Sequence, residues 1–499
     1  MKKHLLPIML LLSAFVISGC GDAEPLPSSS IEPSSSSSKI STPTSASEDS
    51  SSDTASSSLP PEPTYLKKDI VVQLDSGLRA ADNQTTYDLT FNYDDELFLK
   101  DAKQYDENLS MLSLGATLAT ASKTSGDAFY TDLGFKDIVA HDYDKTPTKD
   151  TMGYYLAHKT IDEFELVTVA FRGFGYGMEW ANNFVIGKTG NHEGFNARGL
   201  EAYQELQDYI AANAGGKTLK LWINGYSRAG ALSNVLSSLI LKGDKVSVVK
   251  ENMFVYTFEA PASLTEENAV TYENVHNITN DADMFTYIPP VEYGLKRCGV
   301  DYQIYDLNVT TLMKEFDPEI VFPEFEEPTD LGEGLTSDPL VRAYLLNTIF
   351  NKEEYDDSDP TIFANTREQF VDNYQEGLSS GIGYIFALTG ATRSALLADL
   401  QALSMWEAFS LVGDTTGEEM MKFLKTYLDR DGVVYDAEKI QSDCAILIKG
   451  IQNLFLSVLV AYLAEGPTKN DLTRIINMHY PETTYVLLNN AHNKEQAQQ

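Results

Sequence analysis

The chain has 499 residues, of which 43% are hydrophobic, so it has room for one large catalytic domain or about two or three ordinary ones. Its 37 basic residues are outnumbered by 73 acidic residues, which gives a formal net charge of −36. A surface this acidic repels nucleic-acid phosphates and anionic lipid headgroups, and we therefore exclude nucleic-acid-binding functions.

The N-terminus has the pattern of an export signal. Two lysines precede an apolar run from Leu5 to Val16, which is too short to span a bilayer. The next residues, Ile17-Ser18-Gly19-Cys20, resemble the end of a bacterial lipoprotein signal, whose cysteine becomes the first mature residue and carries acyl chains. We predict a signal peptide over 1–19, lipidation of Cys20, and an extracytoplasmic protein anchored to the bacterial cell membrane. An ordinary cleaved signal with an incidental cysteine is the alternative.

Residues 20–63 consist mainly of serine, proline, threonine and acidic residues, including five consecutive serines from Ser34 to Ser38. Such a segment cannot bury enough apolar surface to fold. We predict a disordered tether that holds the folded part, residues 64–499, away from the membrane.

Between residues 65 and 290, apolar runs typical of strands alternate with helical patterns. This alternation predicts an α/β fold with a parallel sheet covered on both faces. Two nearly uninterrupted apolar runs, 165–171 and 219–224, favour buried central strands. The predicted strands are 69–72, 87–93, 154–158, 165–171, 219–224, 252–258 and 274–279, and the predicted helices are 110–121, 201–212 and 228–241.

Residues 300–466 have a different character, because they are acidic and mostly helical in pattern. The stretch from Cys444 to Leu463 is long and apolar, but Lys449, Gln452 and Asn453 interrupt it, which favours a buried helix over a membrane span. We predict a helical cap over 300–466. Its other helical patterns are 340–350, 366–374, 394–411 and 418–428.

A serine lies at the junction of a predicted strand and a predicted helix, in Gly225-Tyr226-Ser227-Arg228-Ala229. Small residues two before and two after the serine are what a nucleophile elbow requires, because its tight turn brings strand and helix backbones together. The amides of the helix N-terminus would face negative charge that develops near this serine. Ser227 is therefore the predicted nucleophile.

Acyl transfer also needs backbone donors for the tetrahedral oxygen. The predicted strand 165–171 ends in Arg172-Gly173-Phe174, a turn at the same edge of the sheet. We predict that the amides of Phe174 and Arg228 form the oxyanion hole, each lowering the barrier by a few kcal/mol. An ordinary strand-end turn is the alternative.

Several segments between residues 150 and 290 carry a further pattern in their order and spacing. They are Phe171-Arg172-Gly173-Phe174, Glu179-Trp180, Asn183-Phe184, His192-Glu193-Gly194-Phe195, Gly225-Tyr226-Ser227-Arg228-Ala229-Gly230 and Tyr256-Thr257-Phe258-Glu259-Ala260-Pro261. Together they resemble the class 3 (fungal-type) lipase family of the α/β-hydrolase superfamily. The resemblance implies a mostly parallel central sheet flanked by helices, with 300–466 as a large insertion, and hydrolysis of carboxylic esters.

Three residues depart from the family pattern. Tyr226 stands in place of its usual histidine and Ala229 in place of its glycine, and both replacements are sterically acceptable. Phe174 replaces a threonine or serine, which removes a hydroxyl from the oxyanion loop. The backbone amide of Phe174 would then have to act alone.

The family order of serine, acid and histidine identifies the partners of the nucleophile. Asp283 aligns best with the acid, since it follows the strand 274–279 and precedes a hydrophobic-proline run, and Asp281 is the alternative. Of the seven histidines, only His479 and His492 follow these acids. His479 resembles the His-x-Pro-Glu-x-Tyr segment of bacterial relatives, whereas His492 lies in a polar tail. The predicted triad is Ser227, Asp283 and His479.

Ester hydrolysis through an acyl-enzyme is the leading functional prediction. Its substrates would be lipids or other acyl esters, and it requires neither a metal nor an organic cofactor. An acyltransferase or thioesterase with the same triad is one alternative. A noncatalytic binding lipoprotein that keeps the hydrolase fold is the other. The sequence makes no prediction of the oligomeric state.

Overall fold

A computed structural model describes residues 65–79, 83–174, 177–290, 293–320, 366–389, 391–393, 395–396, 417–444, 446–447, 450 and 477–496. The predicted signal peptide 1–19, with Cys20 and the tether 20–63, lies outside the described residues. So do the helical pattern 340–350 and most of the patterns 394–411 and 444–463.

Seven strands form the central sheet, in the order β11-β9-β7-β6-β5-β4-β3. The five strands from β11 to β5 run parallel, and β4 and β3 continue the sheet antiparallel at one edge. Two further pairs, β1 with β2 and β8 with β10, are antiparallel. The strands of the described residues are β1 (Lys67–Asp75), β2 (Thr86–Asp94), β3 (Lys136–His141), β4 (Tyr154–Ile161), β5 (Phe164–Phe171), β6 (Thr218–Tyr226), β7 (Met253–Phe258), β8 (Leu264–Thr265), β9 (Val275–Thr279), β10 (Leu295–Lys296) and β11 (Val300–Gln303).

Helices cover both faces of this sheet. The α-helices of the described residues are α1 (Glu107–Ala119), α2 (Lys123–Asp132), α3 (Glu193–Asn213), α4 (Arg228–Lys242), α5 (Val309–Phe316), α6 (Arg367–Phe370), α7 (Glu376–Phe386), α8 (Gly417–Asp431) and α9 (Pro481–Gln496). A π-helical segment, Val371–Gln375, joins α6 to α7. Short 3-10 helices occupy Asp95–Leu99, Gly177–Phe184, Lys250–Asn252, Met284–Tyr287 and Asn477–His479.

Strand β6 shows how the sequence builds two cores. Successive side chains of a strand point to opposite faces. Trp222 packs with Phe98 and Phe254 in the core beneath α1, while Leu221 and Ile223 belong to the core beneath α3 and α4. A central strand is buried on both faces and so favours apolar residues at successive positions, which explains the nearly uninterrupted apolar runs in β5 and β6.

The seven strands and three helices predicted between residues 65 and 290 are all present, with shifted ends. The helix predicted from residue 201 begins earlier, at Glu193, where His192 caps it by accepting a bond from the Phe195 amide. Strand β3 and helix α2 were not predicted. The predicted cap also begins differently, since Val300–Gln303 form the edge strand β11 of the central sheet. Its alternating half-buried and exposed residues suit an edge position.

These features make the fold α/β-hydrolase-like, as predicted, with a mostly parallel central sheet flanked by helices. Among the residues that the structure describes, no helix is both long and apolar enough to cross a bilayer. Cys298 and Cys444 are buried free thiols.

Candidate active site

The site lies at the carboxyl edge of the parallel strands, where adjacent strand ends place successive loops side by side. Ser227 follows β6, Asp283 follows β9, and Gly173 with Phe174 follows β5. The fourth group, His479, ends a 3-10 helix just before α9. The fold thus brings together segments that are far apart in the sequence.

Ser227 forms a tight turn between β6 and α4, with φ 55° and ψ −125°. A residue with a Cβ atom adopts such a positive φ at a cost of about 1–3 kcal/mol. The turn depends on Gly225, because a Cβ atom there would lie 2.2 Å from the carbonyl oxygen of Ala229. The chain therefore has the geometry of a nucleophile elbow, for the steric reason that the sequence suggested.

The side chains of the three predicted triad residues form one continuous chain of contacts. The Ser227 Oγ lies 2.8 Å from the His479 Nε2, and the His479 Nδ1 lies 2.6 Å from the Asp283 Oδ2. The other oxygen of the Asp283 carboxylate accepts a bond of 2.9 Å from the amide of Phe285. This order of contacts allows a proton to pass from the hydroxyl to the imidazole.

The alternatives lie elsewhere. Asp281 is half-buried two residues before Asp283, and its backbone carbonyl accepts a bond of 3.2 Å from the Tyr287 hydroxyl. The Nδ1 of His492 lies 3.7 Å from the carboxylate of Glu107, on helix α1. The imidazole of His479 therefore pairs with Asp283.

The imidazole of His479 is neutral near pH 7. Burial lowers its pKa to about 4, because the charged form loses its hydration, and the charge of Glu259 opposes this effect. The ring of Phe285 packs on the imidazole at a centroid distance of 4.1 Å. Burial raises the pKa of Asp283. A neutral imidazole with its proton on Nδ1 leaves Nε2 able to accept the proton of the Ser227 hydroxyl.

Both predicted oxyanion residues adjoin the elbow. Arg228 is the first residue of α4, directly after Ser227. On the other side, a Cβ atom at Gly173 would lie 2.7 Å from the carbonyl oxygen of Tyr226, so that only glycine permits this approach. The ring of Phe174 packs against that of Tyr226 at 4.8 Å. The close backbone contact holds the loop beside the nucleophile.

A buried ionic cluster connects the oxyanion loop to helix α4. Glu179 is fully buried, and its two carboxylate oxygens accept bonds from Arg172 at 2.5 Å and from Arg228 at 3.2 Å. It also accepts a bond of 3.2 Å from the amide of Gly153. In the sequence, Glu179 stands out only as part of the Glu179-Trp180 motif. Its role in joining the ends of β4, β5 and β6 depends on contacts between separate segments.

A mostly apolar pocket opens beside the nucleophile. Its one histidine, His192, is neutral because burial lowers its pKa to about 3, and its Nε2 donates to the carbonyl of Asn183 at 3.0 Å. The walls of the pocket suit an acyl chain better than a charged group. They are formed by Trp180, Asn183, Phe184, Ile186, His192, Phe195, Ser227, Arg228, Pro261, Phe285, Ile288 and Pro289.

Part of the predicted cap packs against residues that line this pocket. Phe370, Leu378 and Ile382 pack with the wall residues Trp180 and Phe184 in one apolar cluster. The buried guanidinium of Arg367 donates to backbone carbonyls of residues 186–191, including those of Ile186 at 2.7 Å and Gly187 and Gly190 at 2.6 Å. Helices α6 and α7 are therefore attached to the loop that shapes one pocket wall.

Sequence reasoning missed two residues near the triad. The buried hydroxyl of Tyr226 donates to the carbonyl oxygen of His479 at 3.1 Å and lies 2.7 Å from the Thr484 hydroxyl. Glu259 is fully buried at the end of β7, with φ 48°, and accepts a bond of 3.0 Å from the amide of Asn280. A fourth departure from the family pattern signals Glu259, because the segment that resembles Tyr256–Pro261 in that family reads Tyr-Thr-Phe-Gly-x-Pro and so has glycine where this chain has an acid.

One group of side chains among the described residues has the composition of a metal site. The ligand atoms of His141, Glu201 and Glu205 all lie within 4.8 Å of one another. These groups also bond to one another and to neighbours: His141 lies 2.9 Å from Glu205, and Arg198 pairs with Glu201 at 2.7 Å. The group is an ion-paired network between β3 and α3.

A family model agrees with the resemblance over part of the chain. Residues 168–293 match the family described as "Lipase (class 3)", a range that contains Ser227 and Asp283 and ends before His479. The chain is similar in structure to a lipase from Rhizopus microsporus var. chinensis, with 17% identity over 41% of this chain and 77% of that one and a TM-score of 0.31. The triacylglyceride lipase of Rhizomucor miehei is 16% identical over 40% of this chain and 79% of that one, with a TM-score of 0.29. Lipase II of Rhizopus niveus is 16% identical over 39% of this chain and 79% of that one, with a TM-score of 0.29.

No curated protein sequence matches the chain significantly. The family match supports a lipase-type hydrolase.

Proposed function

We propose that the protein is a serine hydrolase that cleaves carboxylic esters, with Ser227 as nucleophile, His479 as general base and Asp283 as the orienting acid. The observation that carries the proposal is the continuous contact from the Ser227 Oγ to the His479 Nε2 at 2.8 Å and from the His479 Nδ1 to Asp283 at 2.6 Å. The strained turn at Ser227 and the family match around it add independent support.

The first half-reaction forms the acyl-enzyme. The Ser227 Oγ attacks the acyl carbonyl carbon while the His479 Nε2 takes its proton, and Asp283 stabilises the imidazolium that forms. The carbonyl oxygen becomes an oxyanion, which the amides of Phe174 and Arg228 would bind. The imidazolium then protonates the leaving alkoxide as the carbon–oxygen bond breaks.

Water completes the cycle. His479 takes a proton from a water molecule as that water attacks the acyl carbon. The second tetrahedral intermediate then collapses, and the imidazolium returns the proton to the Ser227 Oγ as the carbon–oxygen bond breaks and the acid is released. General base catalysis of this kind contributes about 10²–10⁴-fold in rate. The apolar pocket walls beside Ser227, among them Trp180, Phe184 and Ile288, favour a lipid or another acyl ester as substrate.

A fluorophosphonate probe tests the nucleophile directly. We expect the wild-type protein to be labelled at Ser227, and the label to disappear in Ser227→Ala. Label that survives the substitution would rule out Ser227 as the nucleophile. Ester substrates of graded acyl length, with product analysis in the presence of an alcohol acceptor, separate a hydrolase from an acyltransferase with the same triad.

We also propose that Cys20 anchors the protein outside the cytoplasm and that the part of 300–466 that follows β11 caps the site. The first proposal rests on the sequence pattern alone, and the second is supported by the packing of Phe370 and Leu378 on the pocket wall. Metabolic labelling with a fatty-acid analogue should mark the wild type and leave Cys20→Ala unlabelled. Proteolytic removal of the cap without any change in acyl-length preference would contradict a substrate-shaping role.

A further inference from the structure

One guanidinium group of the cap binds almost every carbonyl of the loop 186–191. It belongs to Arg367, a buried residue at the start of α6. Its acceptors are the carbonyl oxygens of Gly187 (2.6 Å, from Nε), Gly190 (2.6 Å, from Nη1), and Ile186, Asn191 and Thr189 (2.7, 3.0 and 3.4 Å, from Nη2). Five of the six carbonyls of this loop therefore converge on one side chain.

This convergence makes the shape of the loop depend on a cation. Carbonyl oxygens carry partial negative charge, so they repel one another when they approach a common centre. The curvature that brings them together includes positive φ angles at two glycines, 71° at Gly187 and 72° at Gly190. A guanidinium offers five N–H donors in a fixed planar fork, whereas a lysine ammonium offers three from a single point. Arginine is therefore the side chain whose donors match these acceptors.

Both ends of the loop contribute to the pocket wall. Ile186 begins the loop and His192 follows it directly, and both residues line the pocket. Ile186 also packs in the apolar cluster that joins the cap to this wall. A displacement of the loop backbone would therefore move side chains that face the substrate.

The cap makes two further polar contacts with the loop. The Gln375 side-chain oxygen accepts a bond of 3.0 Å from the amide of Gly187. Lys188 pairs with Asp372 at 2.5 Å, but both side chains are exposed, and pairs of this kind contribute little. Arg367 is thus the main polar connection between the cap and the loop, and Gln375 is a weaker one.

We propose that Arg367 is a specificity-determining positioning residue, which holds the loop 186–191 in the shape that places Ile186 and His192 in the acyl-binding wall. This inference rests on the proposed function. Arg367 does not line the pocket itself, so it acts on the substrate through the loop. The loop contains no member of the proposed triad or oxyanion hole. Loss of Arg367 should therefore change acyl-chain binding and leave the chemistry at Ser227 intact.

The experiment measures kcat and KM for an acetyl ester and for a series of longer straight-chain esters. Its readout is the ratio of kcat/KM for the best longer ester to kcat/KM for the acetyl ester. In Arg367→Lys, which retains the charge, we expect this ratio to fall about tenfold, mainly through KM, because the acyl chain loses contact with an ordered wall. The kcat for the acetyl ester should stay within about threefold of the wild type.

Arg79→Lys is the matched control. Arg79 also joins two distant segments, since its Nε and Nη2 donate to the carboxylate of Asp317 at 2.7 and 2.9 Å, but it lies outside the pocket wall. The control should keep the wild-type ratio. An equal fall in Arg79→Lys, an unchanged ratio in Arg367→Lys, or a wild type without any acyl-length preference would overturn the inference.

Gln375→Ala provides a second test that does not depend on the folding of Arg367→Lys. It removes one neutral hydrogen bond to the same loop, so the ratio should fall in the same direction by about threefold. A ratio equal to that of the wild type in Gln375→Ala would count against the control of the wall by the cap and would also overturn the inference.

Hydrogen exchange measures the loop without relying on activity. The amide of Glu193 donates to the carbonyl of Ile186 at 3.0 Å, and it should exchange faster in Arg367→Lys, while the amides of α4 keep their wild-type rates. Fluorophosphonate labelling separates the two hypotheses. A wild type that is not labelled contradicts the proposed function, whereas a labelled enzyme whose loop exchanges equally fast in both proteins contradicts only the inference.

Discussion

Tyr226→Phe tests whether the hydroxyl of Tyr226 positions His479. The hydroxyl lies 3.1 Å from the His479 carbonyl oxygen and 2.7 Å from the Thr484 hydroxyl. Phenylalanine retains the ring that packs on Phe174 at 4.8 Å and leaves both partners buried without this bond. Each unsatisfied buried group costs about 1–3 kcal/mol, so we expect the free energy of unfolding to fall by about 2 kcal/mol.

The same substitution should affect catalysis through the imidazole. Tyr226 does not contribute to the pocket walls, so substrate binding should be unchanged and KM should stay close to the wild-type value. If about 1.4 kcal/mol of the lost interaction had oriented His479, kcat would fall about tenfold. Urea unfolding and steady-state ester hydrolysis measure the two effects separately.

Tyr209→Phe is a matched control within the same chain. Its hydroxyl also donates to backbone carbonyls, at 2.9 Å to Asp137 and 3.3 Å to Lys136, but it joins α3 to β3. The control should lose comparable stability and keep the wild-type kcat. A full kcat in Tyr226→Phe, or an equal loss in Tyr209→Phe, would refute the positioning role.

Three further outcomes are expected. The base must be neutral to accept a proton, and the pKa of His479 is about 4. We therefore expect kcat/KM to be constant near neutral pH and to fall as the pH is lowered, with a midpoint near pH 4. A midpoint near the ordinary histidine value of 6.5 would contradict the buried imidazole. Glu179→Gln should lower the free energy of unfolding by about 3–5 kcal/mol, since two buried arginines lose their counterion. The exposed Glu266→Gln, which loses only a surface pair with Lys296, should change it by less than about 1 kcal/mol in the same urea titration. Gly225→Ala should destabilise the protein by about 1–3 kcal/mol or more in thermal unfolding, whereas Gly215→Ala, where an added Cβ meets nothing within 4 Å, should be tolerated.

Local features of the site were predictable from the sequence. The turn at Ser227 depends on residues within two positions of it. A side chain at Gly225 would collide with the backbone carbonyl of the nearby Ala229. The nearly uninterrupted apolar runs of β5 and β6 predict that these strands are buried. Signals of this kind need no knowledge of the rest of the fold.

Other features depend on contacts that no local pattern contains. Asp281 and Asp283 are both loop acids in the sequence, and the structure distinguishes them because Asp283 contacts His479, almost two hundred residues later, and caps a 3-10 helix through the Phe285 amide. Strand β3 has exposed and half-buried residues but none that is fully buried, and it owes its conformation to pairing with β4. Glu259 bonds to Asn280 and Thr484, which belong to separate elements, so its surroundings exist only in the folded chain.

The position of His479 has a consequence for the biosynthesis of this protein. Glu482, three residues later, accepts bonds from the amides of Gly77 at 2.7 Å and Leu78 at 3.1 Å, so the start of α9 docks against a segment made some four hundred residues earlier. The proposed base therefore enters the site only after the ribosome has translated nearly 480 residues. On the proposed mechanism, a nascent chain would contain its nucleophile long before its general base, and the site would be complete only once α9 has docked.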